Sequence, residues 1–405
     1  MTSFQNPVSF QRQTPAHIIQ SDAEALEIAQ NLAEQFKAGA VQRDAQRLLP
    51  FQEIEAYSQS GLWAITVPKA YGGAEASSYT VAQVIALMSG ADGSIGQIPQ
   101  NHFYALEVLR NTGTEQQKRK LYAEVLNGAR FGNALAEFKT KTASQKQASI
   151  HKAGAGFEVN GEKFYCTGSL FAHRIPALVK DADGREFLAF IPRESQGLEL
   201  IDDWSGFGQR TTGSGTVKFS RVAVSAEDVI PFDTAFSEPT LVGPFAQLMH
   251  AAIETGIARA AFEETLARVR QARPWIDSGA DTAADDPLTK YELGRIIADV
   301  RASEVLLKQA ARAIDAARPL PSAANIAKAS LDVAKVRAHS TETALKASSK
   351  LIELAGSRGS QRADGLDRFW RNARVHTLHD ASRWKYYFIA NFLLNGVLPP
   401  RRGTL

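Results

Sequence analysis

From about Ser21 onward, apolar side chains recur every three or four residues: Ala25, Ile28, Ala29, Leu32, Ala33 and Phe36. That spacing lines one face of a 3.6-residue helix, and Ser21 or Asp22 offers the side-chain oxygen that caps a first turn. A second helix is predicted over 48–60, closed by Gly61. Leu62 to Pro68 is a short apolar run ending at the turn residues Tyr71-Gly72-Gly73. Helical spacing resumes over 79–88 and 106–126, with Gly113 and Thr114 breaking the latter. Residues 1–130 therefore read as a helical domain.

The pattern changes near Phe131, where glycines become frequent and the apolar segments shorten. Phe157-Glu158-Val159 and Glu162-Lys163-Phe164-Tyr165 flank Asn160-Gly161, a strong hairpin signal. Further strands are predicted at 177–180, 187–191, 198–201 and 216–222, which gives an antiparallel β domain over 131–235. Long helices follow at 245–272, 287–317, 323–355 and 367–394. The first carries small residues (Ala251, Ala252, Gly256, Ala258, Ala260, Ala261) that permit close packing. Four long helices with short connections suit a four-helix bundle over 236–405. The fold class is α+β, in the order α, β, α.

Composition excludes several partners. A net charge of +3 from 46 basic and 43 acidic side chains leaves no extended basic surface, which speaks against nucleic acid. Cys166 is the single cysteine, so no internal disulfide or cysteine zinc cage is possible, and a reducing compartment is favoured. Met1 to Phe10 shows no leader pattern, and the apolar run 386–394 is too short to cross a bilayer. A cytoplasmic protein without a membrane span is the expectation.

Sharp motifs are absent: no Gly-x-Gly-x-x-Gly after a strand, no phosphate-binding P-loop, no His-Glu-x-x-His, no Gly-x-Ser-x-Gly. What stands out is Arg371 to Asp380, where His376 and His379 precede Asp380. Three residues apart on a helix, the two imidazoles would share a face with Cβ atoms about 5–6 Å apart. They form a proton-handling patch or a pair of solvated histidines, and a metal there would lack ligands. Ala355 to Ser360, with Arg358, suits a phosphate-holding loop or a plain helix C-cap. Gly132 to Glu137, with Asn133, and Tyr165 to Ser169, with Thr167, suit either hydrogen bonding to a planar heterocycle or ordinary turns. Trp204, between Asp202-Asp203 and Gly206-Phe207-Gly208, suits stacking on a ligand or plain packing. Arg273 follows a helix end, where a guanidinium is commonly a cap.

Together these segments resemble the acyl-CoA dehydrogenase superfamily over nearly the whole chain. The likeness rests on Val67-Pro68-Lys69-Ala70-Tyr71-Gly72-Gly73, Asn160-Gly161-Glu162-Lys163 and Asp367 to Arg374. His376-Thr377-Leu378-His379-Asp380, Ala272-Arg273-Pro274-Trp275, Asp285-Asp286-Pro287 and Asn395-Gly396 resemble its two-component flavin monooxygenase branch, the dibenzothiophene monooxygenase-like and sulfur-acquisition enzymes. The resemblance implies reduced FMN, supplied by an NAD(P)H-dependent reductase, reacting with O2 to a C4a-hydroperoxide that oxidises a small organosulfur or nitrogen compound. It implies catalytic roles for His379 and His376, with Asn133 and Thr167, and cofactor contacts from Tyr165, Trp204, Arg273 and Arg358. Arg273 would act from a neighbouring subunit of a homotetramer. The substrate pocket is expected at Gln97, Asn101 and His102. The alternative within the fold is an FAD-dependent acyl-CoA dehydrogenase or oxidase. Its glutamate would fall in the loop where this chain has Asp380.

Overall fold

The computed structural model describes residues 15–138 and 147–404; the leader reading over Met1–Phe10 lies outside them. Helix α1 (Asp22–Gln46) starts at its predicted cap, with Ser21 Oγ accepting from the Glu24 N–H at 3.2 Å. Helix α2 (Phe51–Gln59) begins later than the spacing suggests, because Arg47 turns left-handed (φ 53°) and Pro50 sets the entry. Past its end, Gly61 sits at φ 86°, where a Cβ would lie 2.1 Å from the His17 carbonyl oxygen. Then come α3 (Ser78–Ala91), α4 (Gly93–Gln97), α5 (Gln100–Thr112) and α6 (Glu115–Leu126). The short α4 has no apolar period of its own. Asp92 fixes it by accepting from the Ser94 and Ile95 N–H groups while paired with Arg43.

Seven strands form one sheet: β1 (Ser149–Ala153), β2 (Gly156–Lys163), β3 (Arg174–Lys180), β4 (Glu186–Pro192), β5 (Leu198–Ile201), β6 (Thr216–Val224) and β7 (Val229–Pro231). Their spatial order is β5-β6-β2-β1-β3-β4-β7. Two expectations need correction. The sheet is not antiparallel throughout, since β1 runs parallel to β3 at its centre, and Phe131 and Ala134 add parallel bridges to Arg174 and Ala177. Nor is Asn160-Gly161 a hairpin turn. Strand β2 runs straight through it with a register shift between Val159 and Gly161. Asn160 Oδ1 accepts from the Arg221 N–H at 2.8 Å, taking over a ladder bond, and Gly161 (φ 137°) passes so close to Ala148 that a Cβ would lie 2.7 Å from its Cα. The β1–β2 turn falls at Gly154-Ala155, with Gly154 at φ 60°.

Alternate residues of the central strands feed two cores. Ile175, Ala177, Val179, Ala189 and Ile191 pack in the core of the sheet itself. Leu178, Leu188 and Phe190 face the other way and join the core of the helices. That helical core is common to elements before and after the sheet: α1, α3 and α5 with α8 (Val242–Val269), α9 (Pro287–Ala317) and α10 (Ala323–Leu354). Asp286 caps α9 through the Leu288 N–H, with Pro287 in its first turn. A one-turn helix, α7 (Thr234–Ser237), leads in from the sheet. The fourth predicted long helix is broken in two, α11 (Asp367–His376) and α12 (Arg383–Asn395), both packed on α10.

Small residues let α8 cross α3 at close range. A Cβ on Gly256 would meet the Ala86 carbonyl oxygen at 2.1 Å, so Gly256→Ala should destabilise by about 1–3 kcal/mol despite its better helix propensity. Gly294, on the exposed side of α9 with nothing within 4 Å of a built Cβ, should respond oppositely, with Ala stabilising by up to about 1 kcal/mol. Urea midpoints of the two variants check this; a Gly256→Ala midpoint at or above the parent value would mean that the helices do not cross so closely.

Candidate functional site

The break between α11 and α12 reshapes the histidine patch. The main chain closes a 3-10-like turn after His376, with the His379 N–H donating to the His376 carbonyl at 3.0 Å. The two imidazoles therefore do not share a helix face, contrary to the spacing argument. His376 ends α11 buried, whereas the side chain of His379 is 44% exposed on the turn. Asp380 pulls the turn inward: its carboxylate lies 3.3 Å from Lys385 Nζ and accepts from Gln247 Nε2 at 3.1 Å. Continuing α11 as a helix would carry that carboxylate off these partners, so a tertiary requirement overrides local propensity.

Behind the turn lies a buried polar cluster built from α8, α10 and α11. Glu254 and Arg337, both fully buried, form an ion pair, and Glu254 also accepts from Ser340 Oγ and Thr341 Oγ1, each at 2.9 Å. His376 Nδ1 lies 3.1 Å from Glu254 Oε1, and its Nε2 lies 3.0 Å from Nδ1 of buried His250. The His250 ring packs against that of His379, centroids 4.0 Å apart. His379 Nδ1 lies 3.4 Å from Asp380, which also sits 4.0 Å from Arg337. Burial drives His250 far below the ordinary imidazole range and lowers His376, partly offset there by Glu254. Burial opposes ionisation of Glu254 and Asp380, yet Arg337 holds the first below its usual range, and His379, Arg337 and Lys385 hold the second far below. Burial brings Lys385 down to about 8.

A second wall comes from the loops of the sheet. Asn133 is tied at both ends of its amide, Nδ2 donating to the Tyr165 carbonyl at 3.1 Å and Oδ1 accepting from the Leu135 N–H at 3.1 Å. Tyr165 stands left-handed at φ 58°, half exposed, its ring 6.1 Å from that of Trp204. Thr167 Oγ1 joins a buried hydroxyl chain, 2.6 Å from Ser214 Oγ, itself 2.7 Å from Thr212 Oγ1. Trp204 Nε1 donates to the Gln209 carbonyl at 2.8 Å. Gln209 is 1% exposed, at φ 52°, and neither atom of its side-chain amide has a hydrogen-bond partner. An unsatisfied buried amide is costly and calls for an explanation.

The walls meet at α11. Asn372 Oδ1 accepts from the Gln209 N–H at 2.8 Å, and Gly93 packs against the same side chain. Gly208 lies beneath Arg371, where a Cβ would be 2.0 Å from the carbonyl oxygen. His376 follows one helical turn after Asn372. Gln97, on α4, has a buried Oε1 without a partner, and Gly168 comes within reach of Ile98.

The structure thus joins Asn133, Tyr165 and Trp204 by contact, with Thr167 on the same loops, and links Trp204 through Gln209 and Asn372 to the helix that ends at His376; Gln97 and half-buried Asn101 lie on helices α4 and α5. It does not bring every expected residue there. His102 is a core residue: its ring packs among Trp63, Phe103 and Phe131, Nδ1 accepts from the Phe131 N–H at 3.1 Å, and Nε2 lies 2.8 Å from the Trp63 carbonyl. With both nitrogens used and no exposure, it cannot line a substrate pocket. Arg273 and Arg358 stand exposed beyond the ends of α8 and α10. At 1.5 Å per residue those ends lie about 25–30 Å along the axes from His250 and Arg337, so neither guanidinium reaches the histidines of its own chain. A cavity of about 350 Å³ lined by Glu75, Glu107, Arg110, Asp315 and Arg318 lies elsewhere, its charges already paired within the chain.

Sequence reasoning missed Gln247, His250, Glu254, Arg337, Lys385 and Gln209. A signal existed for some: His250 and Glu254 are four apart in an otherwise small and apolar stretch of α8, and Arg337, Ser340 and Thr341 repeat at three and four on α10.

Two family models match the chain, the acyl-CoA dehydrogenase N-terminal domain at residues 23–129 and its C-terminal domain at 248–384. Dibenzothiophene monooxygenase of Rhodococcus qingshengii is 31% identical over 400 residues, 94% of this chain and 95% of that protein. The probable FMNH2-dependent monooxygenase SfnC of Pseudomonas putida is 30% identical over 386 residues, 93% and 96% of the two. Among solved structures, FMN-bound TdsC from Paenibacillus sp. A11-2 is similar with a TM-score of 0.90 at 28% identity, covering 94% of this chain and 100% of that one.

The buried histidines predict an acid limb to stability. Burial pushes His102 and His173 from 6.5 down to about 3 and lowers His250 and His376, so these rings resist protonation in the folded protein while the unfolded chain binds protons below about 6.5. Stability is therefore complete above that value and falls on acidification, by about 1.4 kcal/mol per pH unit for each histidine titrating only when unfolded. Urea midpoints between about pH 6.5 and 4.5 should show a slope of three to four such protons, and His102→Gln should remove about one. A flat profile would show that these rings charge inside the folded protein.

Proposed function

The chain belongs to the acyl-CoA dehydrogenase family, and within it we propose a flavin-dependent monooxygenase of the two-component branch. It would use reduced FMN from a separate NAD(P)H-dependent reductase to transfer one atom of O2 to a small organosulfur compound, the other atom leaving as water. The observation that carries this reading is the turn after α11. Where a dehydrogenase of this family would need a free carboxylate to take a proton from substrate, Asp380 is turned inward onto Lys385, Gln247 and Arg337, and the exposed group is the imidazole of His379. Glu254 cannot substitute, since it is fully buried and committed to Arg337. An acyl-CoA dehydrogenase using FAD is disfavoured on that ground.

A flavin ring fits the residues present. Its pyrimidine edge offers alternating hydrogen-bond donors and acceptors, matched by the unpartnered amide of Gln209 and the hydroxyls of Thr167 and Ser214, with Thr212 behind them. Trp204 and Tyr165 supply aromatic surface beside them. Asn133 shapes this wall through its two main-chain bonds. When bound, reduced FMN supplies the electrons that activate O2. The chain's own part is to orient the ring, keep water out and present a proton donor or acceptor at His379, with His376 behind it. Gln97 and Asn101 would line the substrate side; polar amides there suit a small or polar substrate. For Arg273 and Arg358 to reach a flavin phosphate, other copies of the chain must bring them, so a homotetramer belongs to this reading. So do a cytoplasmic location and domain limits at 1–130, 131–235 and 236–405.

The test is turnover with a generic flavin reductase, NADH and a panel of sulfides, sulfoxides, sulfones and amines, measuring product formed and hydrogen peroxide released per O2 consumed. The parent protein should give coupled product from a sulfur compound. His379→Ala should cut coupled turnover by about tenfold to a hundredfold, with hydrogen peroxide replacing product. Oxygen uptake no faster than that of free reduced FMN would defeat the proposal, as would bleaching of bound FAD by an acyl-CoA.

A further inference from the structure

The polar chain behind His379 ends at a group that dictates where its protons lie. Glu254, ionised against Arg337, only accepts hydrogen bonds, so the proton in its 3.1 Å contact with His376 sits on Nδ1 of that ring. A neutral His376 then has only an acceptor at Nε2, and the proton in the 3.0 Å contact sits on Nδ1 of His250. Neutral His250 is left with an unprotonated Nε2 that has no hydrogen-bond partner among the described residues. The charged and titratable groups around these rings are Glu254 on α8, Arg337 on α10, His379 and Asp380 on the turn, and Lys385 on α12. Their formal charges cancel in pairs, Glu254 and Asp380 against Arg337 and Lys385.

We propose that His250, His376 and Glu254 form a buried proton relay whose outer end, His250 Nε2, exchanges one proton at the half-exposed ring of His379 packed against it. It rests on the monooxygenase reading for the reaction that supplies that proton. A proton arriving at His250 Nε2 releases the one on Nδ1 to His376 Nε2. The positive charge thereby moves one ring inward and rests as an imidazolium hydrogen-bonded to Glu254. Nothing is oxidised or reduced, and the return of the proton reverses both transfers. The relay takes up and returns one proton during oxygen transfer without opening a water path. His250 carries the exchanged proton in this scheme, and Glu254 is a positioning residue acting through His376.

The direct test needs no substitution. In full-length protein labelled with 15N-histidine and assigned by single His→Gln variants, His376 and His250 should both read as Nδ1–H tautomers across about pH 6 to 8. An Nε2–H tautomer at His376 overturns the relay. Glu254→Gln, whose Oε1 still accepts from Arg337 and from His376 Nδ1–H, should keep both tautomers but remove the negative charge that holds the imidazolium, lowering product per O2 by about tenfold or more, whereas Glu254→Asp should restore most of the coupling. Unchanged coupling in Glu254→Gln would also overturn the relay, and the wild-type spectrum decides even if Glu254→Gln does not fold. Because tautomers are read without turnover, a protein inactive with reduced FMN yet showing both Nδ1–H rings would defeat the monooxygenase reading and leave the chain of protons in place.

Discussion

Four charges with almost no access to water govern how the helical half of this protein assembles. Glu254 and Arg337 are fully buried, and Asp380 and Lys385 nearly so. An unpaired charge in such a place costs several kcal/mol, far more than a well-packed methylene returns. The four come from α8, α10, the turn after α11, and α12, so none is satisfied until all of those segments are docked together. Packing of Ala, Gly and Leu along α8 and α10 could tolerate a slide of one turn; the ion pairs cannot.

The same requirement explains why local sequence was a good guide to most helices and a poor one to the last. Helices α1, α9 and α10 follow their apolar period because nothing tertiary contradicts it: Ser21 caps α1 as expected, and Asp286 and Ser322 cap the other two. The stretch from Asp367 to Leu394 has the same period but must deliver Asp380 to an interior position, and the helix gives way there. Asn160-Gly161 is the counterpart in the sheet. Its signal is a local one, and it lost to the continuous pairing of β2 with β1 and β6, in which Asn160 bonds across to β6 and Gly161 permits close approach of Ala148.

Legibility of the site divides along the same line. Asn133, Thr167, Trp204, His376 and His379 were visible because they sit in turns or close to a helix end, where polar residues stand out and a resemblance fixes on them. His250, Glu254 and Arg337 were hidden by ordinary helices around them, since one polar residue per turn in an apolar stripe is as consistent with a solvated edge as with a buried network. Only the three-dimensional crossing of α8 with α10 and α11 tells the two apart. His102 erred in the opposite way: a histidine near a substrate-pocket segment, it is consumed by two main-chain bonds that pin the start of the sheet domain to the N-terminal helices.

Helix α11 ties these levels together. Asn372 fastens it to the Gln209 loop and, through Gly93, to α4; one turn later His376 fastens it to α8 through His250 and Glu254. The spacing between the wall that would meet a flavin's pyrimidine edge and the wall that carries the imidazoles is thus set within a single turn of one short helix. A ten-residue helix is marginal by itself in water, so its position must come from what it touches, and beside the apolar packing of Phe369 and Ala373 the contacts of Asn372 and His376 are polar and directional. A shift of that helix would break the Gln209 bond and the His376 bonds together. In the proposed enzyme, cofactor orientation and proton supply would for that reason be one structural variable.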